Sequence, residues 1–212
     1  MIVDDQPIRF GWATVINLSE FPGLLTLFQQ NVPSRSNKPT TADIERHGAQ
    51  LIECKFRKTD LQSFIRAVCS WGGYPGVAGR VINNNRIEDV KATFRKAHQQ
   101  AQNGNVVEAL KALQGIKNLG GVSFASKHLK FLAPKAAVVL DSVISERLAY
   151  PKNPDGYKEF LADCHTILQH IVAAQLKYTG WAPSGWRVSD VEMAIFAKLR
   201  FDVTPPSPSP AI

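Results

Sequence analysis

A chain of 212 residues with 44% hydrophobic and 20% charged residues has the composition of a globular protein large enough to bury a core. Its 25 Lys and Arg against 18 Asp and Glu leave a net charge of +7, which favours polyanionic partners. The three cysteines, Cys54, Cys69 and Cys164, and the five histidines are scattered without zinc or cluster spacing, which argues against a metal or other cofactor. The N-terminal MIVDDQPIRF has no signal-peptide pattern, and no apolar run approaches about 18 residues. The expectation is a cytoplasmic monomer with no membrane partner.

In chain order, helical spacing of apolar residues begins at Leu18 and runs to Phe28, interrupted by Pro22-Gly23. A mobile loop is expected over 31–41, rich in Pro, Ser and Asn, and a helix from about Ala42 to Phe56. Thr59, with Gln62 in the capping-box position, is expected to cap the next helix. The segment WGGYPGVAGRVINNN at 71–85 holds four glycines and a proline, which argues against any regular element. Asn83-Asn84-Asn85 reads either as the N-cap of the helix RIEDVKATFRKAHQQAQ or as a functional triple. Helices follow over VVEALKALQGI and Val122–Leu132, separated by a Gly120-Gly121 turn. AAVVL at 136–140 reads as an extended connector, because no second strand pattern exists to pair with it. Asp141 then caps a helix to Leu148, a turn spans 151–155, and a long amphipathic helix covers about 156–178. Ser189 and Glu192 form a capping box for the last helix, and the tail after 203 is Pro/Ser-rich and expected to be disordered. The fold class is all-α: a single compact helical domain over 1–203, in two lobes, with a tail at 204–212.

The most informative stretch lies within 105–148, where a tight glycine turn between two apolar helices is followed by a lone aspartate. Backbone N–H groups at such a turn and helix start bind phosphate without side chains, and Gly120 and Gly121 allow the close approach. A helix-ending turn requires the same glycines. This stretch resembles the helix-hairpin-helix DNA glycosylases. Laid on the endonuclease III and adenine-glycosylase pattern, Gly121 takes the second hairpin glycine, Ala125 the small helix residue and Asp141 the catalytic aspartate. Asn83-Asn84-Asn85 is similar to the asparagine triple of 8-oxoguanine DNA glycosylases, where the first asparagine fills the gap left by the flipped base; that role would fall to Asn83. Together these segments cover about a third of the chain, without the family's β-domain or its iron–sulfur cysteines.

The resemblance implies a helix-hairpin-helix motif with a catalytic Asp loop, and an enzyme that excises a modified base, 8-oxoguanine-like, from double-stranded DNA. Asp141 would stabilise the oxocarbenium-like transition state and activate the nucleophile, or it is only an N-cap. The Schiff-base lysine of bifunctional members falls on Ser123 here, and Lys127 lies one turn further on the same helical face. Lys127 is therefore the candidate amine of an AP lyase, its pKa lowered by burial or by His128 or Lys130, unless it only contacts phosphate.

Lys117, Lys127 and Lys130 flank the hairpin as phosphate partners or as a solvated face, with Ser123 among the DNA-binding candidates. Arg80 is a candidate wedge or orphan-base reader. Trp186, Trp181, Tyr74 and Phe201 are candidate stacking walls for a flipped base, unless they are core. Asp190 and Glu192 are candidates to bond a purine edge, unless they cap the helix. Two other functions fit the same residues: a defence glycosylase acting on hypermodified phage DNA, and a non-catalytic DNA-binding module.

Overall fold

The helical periodicity of the chain is realised, in a computed structural model describing residues 7–10, 14–32 and 38–201, as ten α-helices. The tail at 204–212 and residues 33–37 of the loop expected at 31–41 lie outside the described residues. The mostly helical fold agrees with the all-α expectation, and one short hairpin that the sequence pattern did not show stands at the start. β1 (Pro7–Phe10) pairs antiparallel with β2 (Thr14–Asn17), with Ile8 opposite Ile16. Four-residue strands give too few alternations for a periodic pattern to register, although Ile16 is buried and Val15 exposed as a half-buried strand requires.

A single 3₁₀ turn leads into α1 (Phe21–Asn31), where Pro22 occupies the first turn and costs no hydrogen bond. In α2 (Thr41–Glu53), Thr40 and Asp43 form a reciprocal capping box. α3 (Lys58–Trp71) starts one residue before Thr59, with Arg57 as its N-cap. The glycine-rich segment does contain a regular element, α4 (Pro75–Asn83). Pro75 presets its first turn, and Val77, Ala78 and Val81 supply a buried stripe that the glycines do not interrupt. α5 (Ile87–Gln102) is capped by Arg86 and not by an asparagine. α6 (Val106–Gln114), α7 (Val122–Leu132) and α8 (Ser142–Leu148) follow. α9 (Pro154–Ala173) ends earlier than its amphipathic pattern suggests, and α10 (Val188–Phe201) completes the series.

α1 lies along α10, which also packs on α8 and α9. α3 packs on α2, α4 and α5, α5 packs on α6, and α2, α3, α5 and α6 reach α7, with α6 also meeting α9. α7 is buried from Ala125 to Leu132, and α2 approaches it so closely that a Cβ at Gly48 would meet the Phe131 carbonyl oxygen at 2.1 Å. A helix buried on all sides is ordinarily apolar all round. This one carries Lys127, His128 and Lys130 into the interior. No helix among the described residues is long and apolar enough to cross a membrane.

Candidate active site

The backbone of α7 reaches the site through the extended connector before α8. Residues 137–140 are buried yet pair with no strand, so their amides need other acceptors. The Val138 N–H donates to the Tyr157 hydroxyl of α9 and the Leu140 N–H to Ser126 Oγ of α7, at 3.4 and 3.2 Å. The Val139 N–H dipole also favours the charged form of the Glu192 carboxylate on α10. Two side chains from two helices thus hold the stretch that delivers Asp141.

Asp141 is the N-cap of α8. Its Oδ1 accepts from the Val143 and Ile144 N–H groups at 3.0 and 3.3 Å. The other oxygen, Oδ2, lies 3.7 Å from Lys127 Nζ. A helical lysine points back towards the N-terminus, and Lys127 Nζ accordingly donates to Ser123 Oγ at 2.9 Å. The amine therefore stands over Ser123, one turn back on the same helical face. Burial lowers the Lys127 pKa; Asp141 and Glu192 oppose that shift, and Lys130 reinforces it. His128 has no part in it. Burial pushes the His128 ring down to about 4, so it is neutral near pH 7, between Phe64 and Phe94.

Lys127, Asp141 and Glu192 border a cavity of about 150 Å³ whose apolar walls include Phe28, Trp71 and Phe196. Lys130 is not on a phosphate-facing surface. It is wholly buried, its Nζ 3.7 Å from Glu192 Oε2 and 5.2 to 5.6 Å from the ring centres of Phe131, Trp71 and Phe28. Neither Lys130 Nζ nor Glu192 Oε2 has a hydrogen-bond partner among the described residues.

The α6–α7 turn presents a different face. Ile116, Leu119 and Val122 anchor it in the core, while Lys117, Asn118, Gly120 and Gly121 are exposed. Asn118 and Gly120 have positive φ, and Gly121 caps α7 without any side-chain hydrogen bond. Asn83 ends α4 and is exposed, as is Arg80 one turn earlier. The asparagine triple does not cap α5. Instead Asn85 donates to the Lys117 carbonyl at 2.8 Å and accepts from the Lys117 N–H at 3.1 Å, while Asn84 donates to Asn118 Oδ1. Tyr74, 65% exposed, meets the Phe124 ring edge-on, and Lys127 Nζ lies 5.6 Å from that ring.

The other aromatic and acidic candidates lie elsewhere. Trp181 donates to Glu45 at 2.8 Å and Trp186 to the Leu176 carbonyl at 3.1 Å. Asp190 takes both ends of the Arg187 guanidinium and the Arg187 N–H. None of the three borders the cavity beside Asp141. Phe201 packs edge-on against Phe196. Asp190 thus performs the helix-start role assigned to Glu192, which faces the cavity instead. Sequence reasoning also missed Trp71 and Phe28 as cavity walls and Asn85 as a clamp. The available signal was the pair of lysines set three apart in an otherwise apolar helix. Among the described residues no three His, Cys, Asp or Glu side chains converge as a metal site. Compared with protein-family models, curated proteins and solved structures, the chain matches none.

Proposed function

We propose that this chain is a DNA N-glycosylase that takes a modified base, 8-oxoguanine-like, out of the duplex and cleaves its glycosidic bond, with Lys127 as an amine nucleophile. The observation that carries the reading is the Lys127 amine facing Asp141 at 3.7 Å beside a small aromatic-walled cavity. Breaking the bond leaves positive charge on the sugar, and the free Asp141 oxygen supplies the opposite charge while its partner oxygen is pinned by two amides. A nucleophilic amine must be neutral, and burial moves Lys127 in that direction. The exposed Lys117, Gly120 and Gly121, with the net charge of +7, suit a phosphate backbone, and the exposed Asn83, Arg80 and Tyr74 are available to the opened duplex.

The test is a panel of duplexes carrying oxidised, alkylated, deaminated and phage-type modified bases, with released bases identified by mass spectrometry. Release from at least one duplex is expected, and Asp141→Asn is expected to lower its rate about 10²–10³-fold while DNA affinity stays within a few-fold. Release at the parent rate by that variant contradicts the mechanism, and no release from any duplex favours a binding module. Borohydride should trap the parent on damaged DNA and fail with Lys127→Gln; a parent that is never trapped is not a lyase.

A further inference from the structure

Glu192 is the one ionisable cavity group left without a task in the chemistry above. Its side chain is 4% exposed, it lines the same cavity as Lys127 and Asp141, and its Oε2 has no hydrogen-bond partner among the described residues. A buried carboxyl oxygen without a partner carries a standing cost, and a ligand atom in the cavity would relieve it. From this geometry, and resting on the glycosylase reading, we propose that Glu192 is the acid that protonates the departing base. The chemical class of substrate is then a base with a basic ring nitrogen or oxygen, of purine type, which leaves readily only once protonated.

The charged surroundings suit this task. Burial pushes the Glu192 carboxyl up to about 7, against the pull of Lys130, and Asp141 adds to the rise. The other titratable groups facing it are Lys127 on α7 and Tyr157 and Cys164 on α9, the latter two kept neutral by burial. α1 and the residue that caps it contribute only apolar side chains to this wall, Phe28 and Val32. A carboxyl poised near neutrality is matched to proton transfer.

In the step itself, the bond between C1′ and the base nitrogen breaks with its electron pair passing to the base. The Glu192 proton moves to the base, which leaves neutral, and the resulting carboxylate faces Lys130. The sugar cation is captured by the Lys127 amine, whose surplus proton passes to Asp141. The two carboxyl groups thus divide the work, one giving a proton to the leaving group and one receiving a proton from the nucleophile.

The experiment is single-turnover release of 8-oxoguanine from an 8-oxoguanine·cytosine duplex by the parent and Glu192→Gln, across a pH series. Binding to a duplex with a tetrahydrofuran abasic analogue serves as the control. Release by the variant should fall about 100-fold or more, the contribution of a general acid. Abasic-duplex affinity should stay within a few-fold. The parent rate should decline as pH rises through about 7, and the variant should lack that limb. Release at the parent rate overturns the proposal, as does a parallel loss of release and abasic binding, which marks a structural role. If the variant does not fold, a parent profile with no alkaline decline overturns it alone. If the parent releases a different base of the panel, that duplex replaces 8-oxoguanine·cytosine; a parent that releases nothing from any duplex removes the underlying reading, whereas release at the parent rate by Glu192→Gln removes only the proposal.

Discussion

Asp190 and Glu192 stand two positions apart on α10, both buried, in opposite circumstances. Asp190 belongs to a saturated cluster: Arg187 donates to both of its oxygens and to both oxygens of Glu45, with Trp181 adding a further bond to Glu45. Glu192 belongs to an unsaturated one, in which Lys130 is held by aromatic rings and the nearest charge pairs stand 3.7 Å apart. Good geometry can offset the desolvation of buried ions; a cluster lacking it spends stability that only a ligand recovers. The contrast separates charge used as scaffold from charge held ready for chemistry.

The largest effect should come from breaking the saturated side. Arg187→Met strands two buried carboxylates and should cost about 3–5 kcal/mol of stability, measured by denaturant unfolding, while chemistry per folded molecule stays within a few-fold. Asp141→Asn is its mirror image: base release should fall about 10²–10³-fold, the cost of one electrostatic stabiliser, with little change in unfolding.

Two buried groups, Glu192 on α10 and His128 on α7, respond to pH in opposite directions. The Glu192 carboxyl lies near 4.5 in the unfolded chain and about 7 in the folded one, so the folded state holds the proton more tightly. Its contribution is therefore present below about 4.5 and lost as pH rises towards 7. His128 works in reverse, its ring falling from 6.5 to about 4, so stability is lost as pH drops through that window. The parent-minus-variant difference in unfolding free energy for Glu192→Gln should isolate the first slope, falling between about pH 4.5 and 7 and level above. The smallest expected effect is on the hairpin. Asn85→Ala removes both side-chain bonds to Lys117, at about 1–2 kcal/mol, and should weaken duplex affinity in filter binding without changing the rate of base release from bound DNA.

How much of this was legible in the sequence follows from the range of each interaction. The limits of α7 and the capping of α8 by Asp141 were read correctly, because a Pro stop and an N-cap act within a few residues. α4 was missed because glycine content outweighed a stripe of only three apolar residues, and β1–β2 because the strands are short. Glu192 looked like a cap because Ser189 precedes it; only the packing of α7 beside α10 puts Lys130 against it. The exchange of roles between Asp190 and Glu192 is a matter of helix phase and tertiary contact, which a single sequence does not encode locally.

The connector at 137–140 has a further consequence for which substitutions the protein tolerates. Two of its amides, not its side chains, are gripped by Ser126 and Tyr157. Exchanges such as Val138→Ile that keep the stretch apolar leave those bonds in place. The aim of Asp141 is instead written into two residues from distant parts of the chain, one on α7 and one on α9.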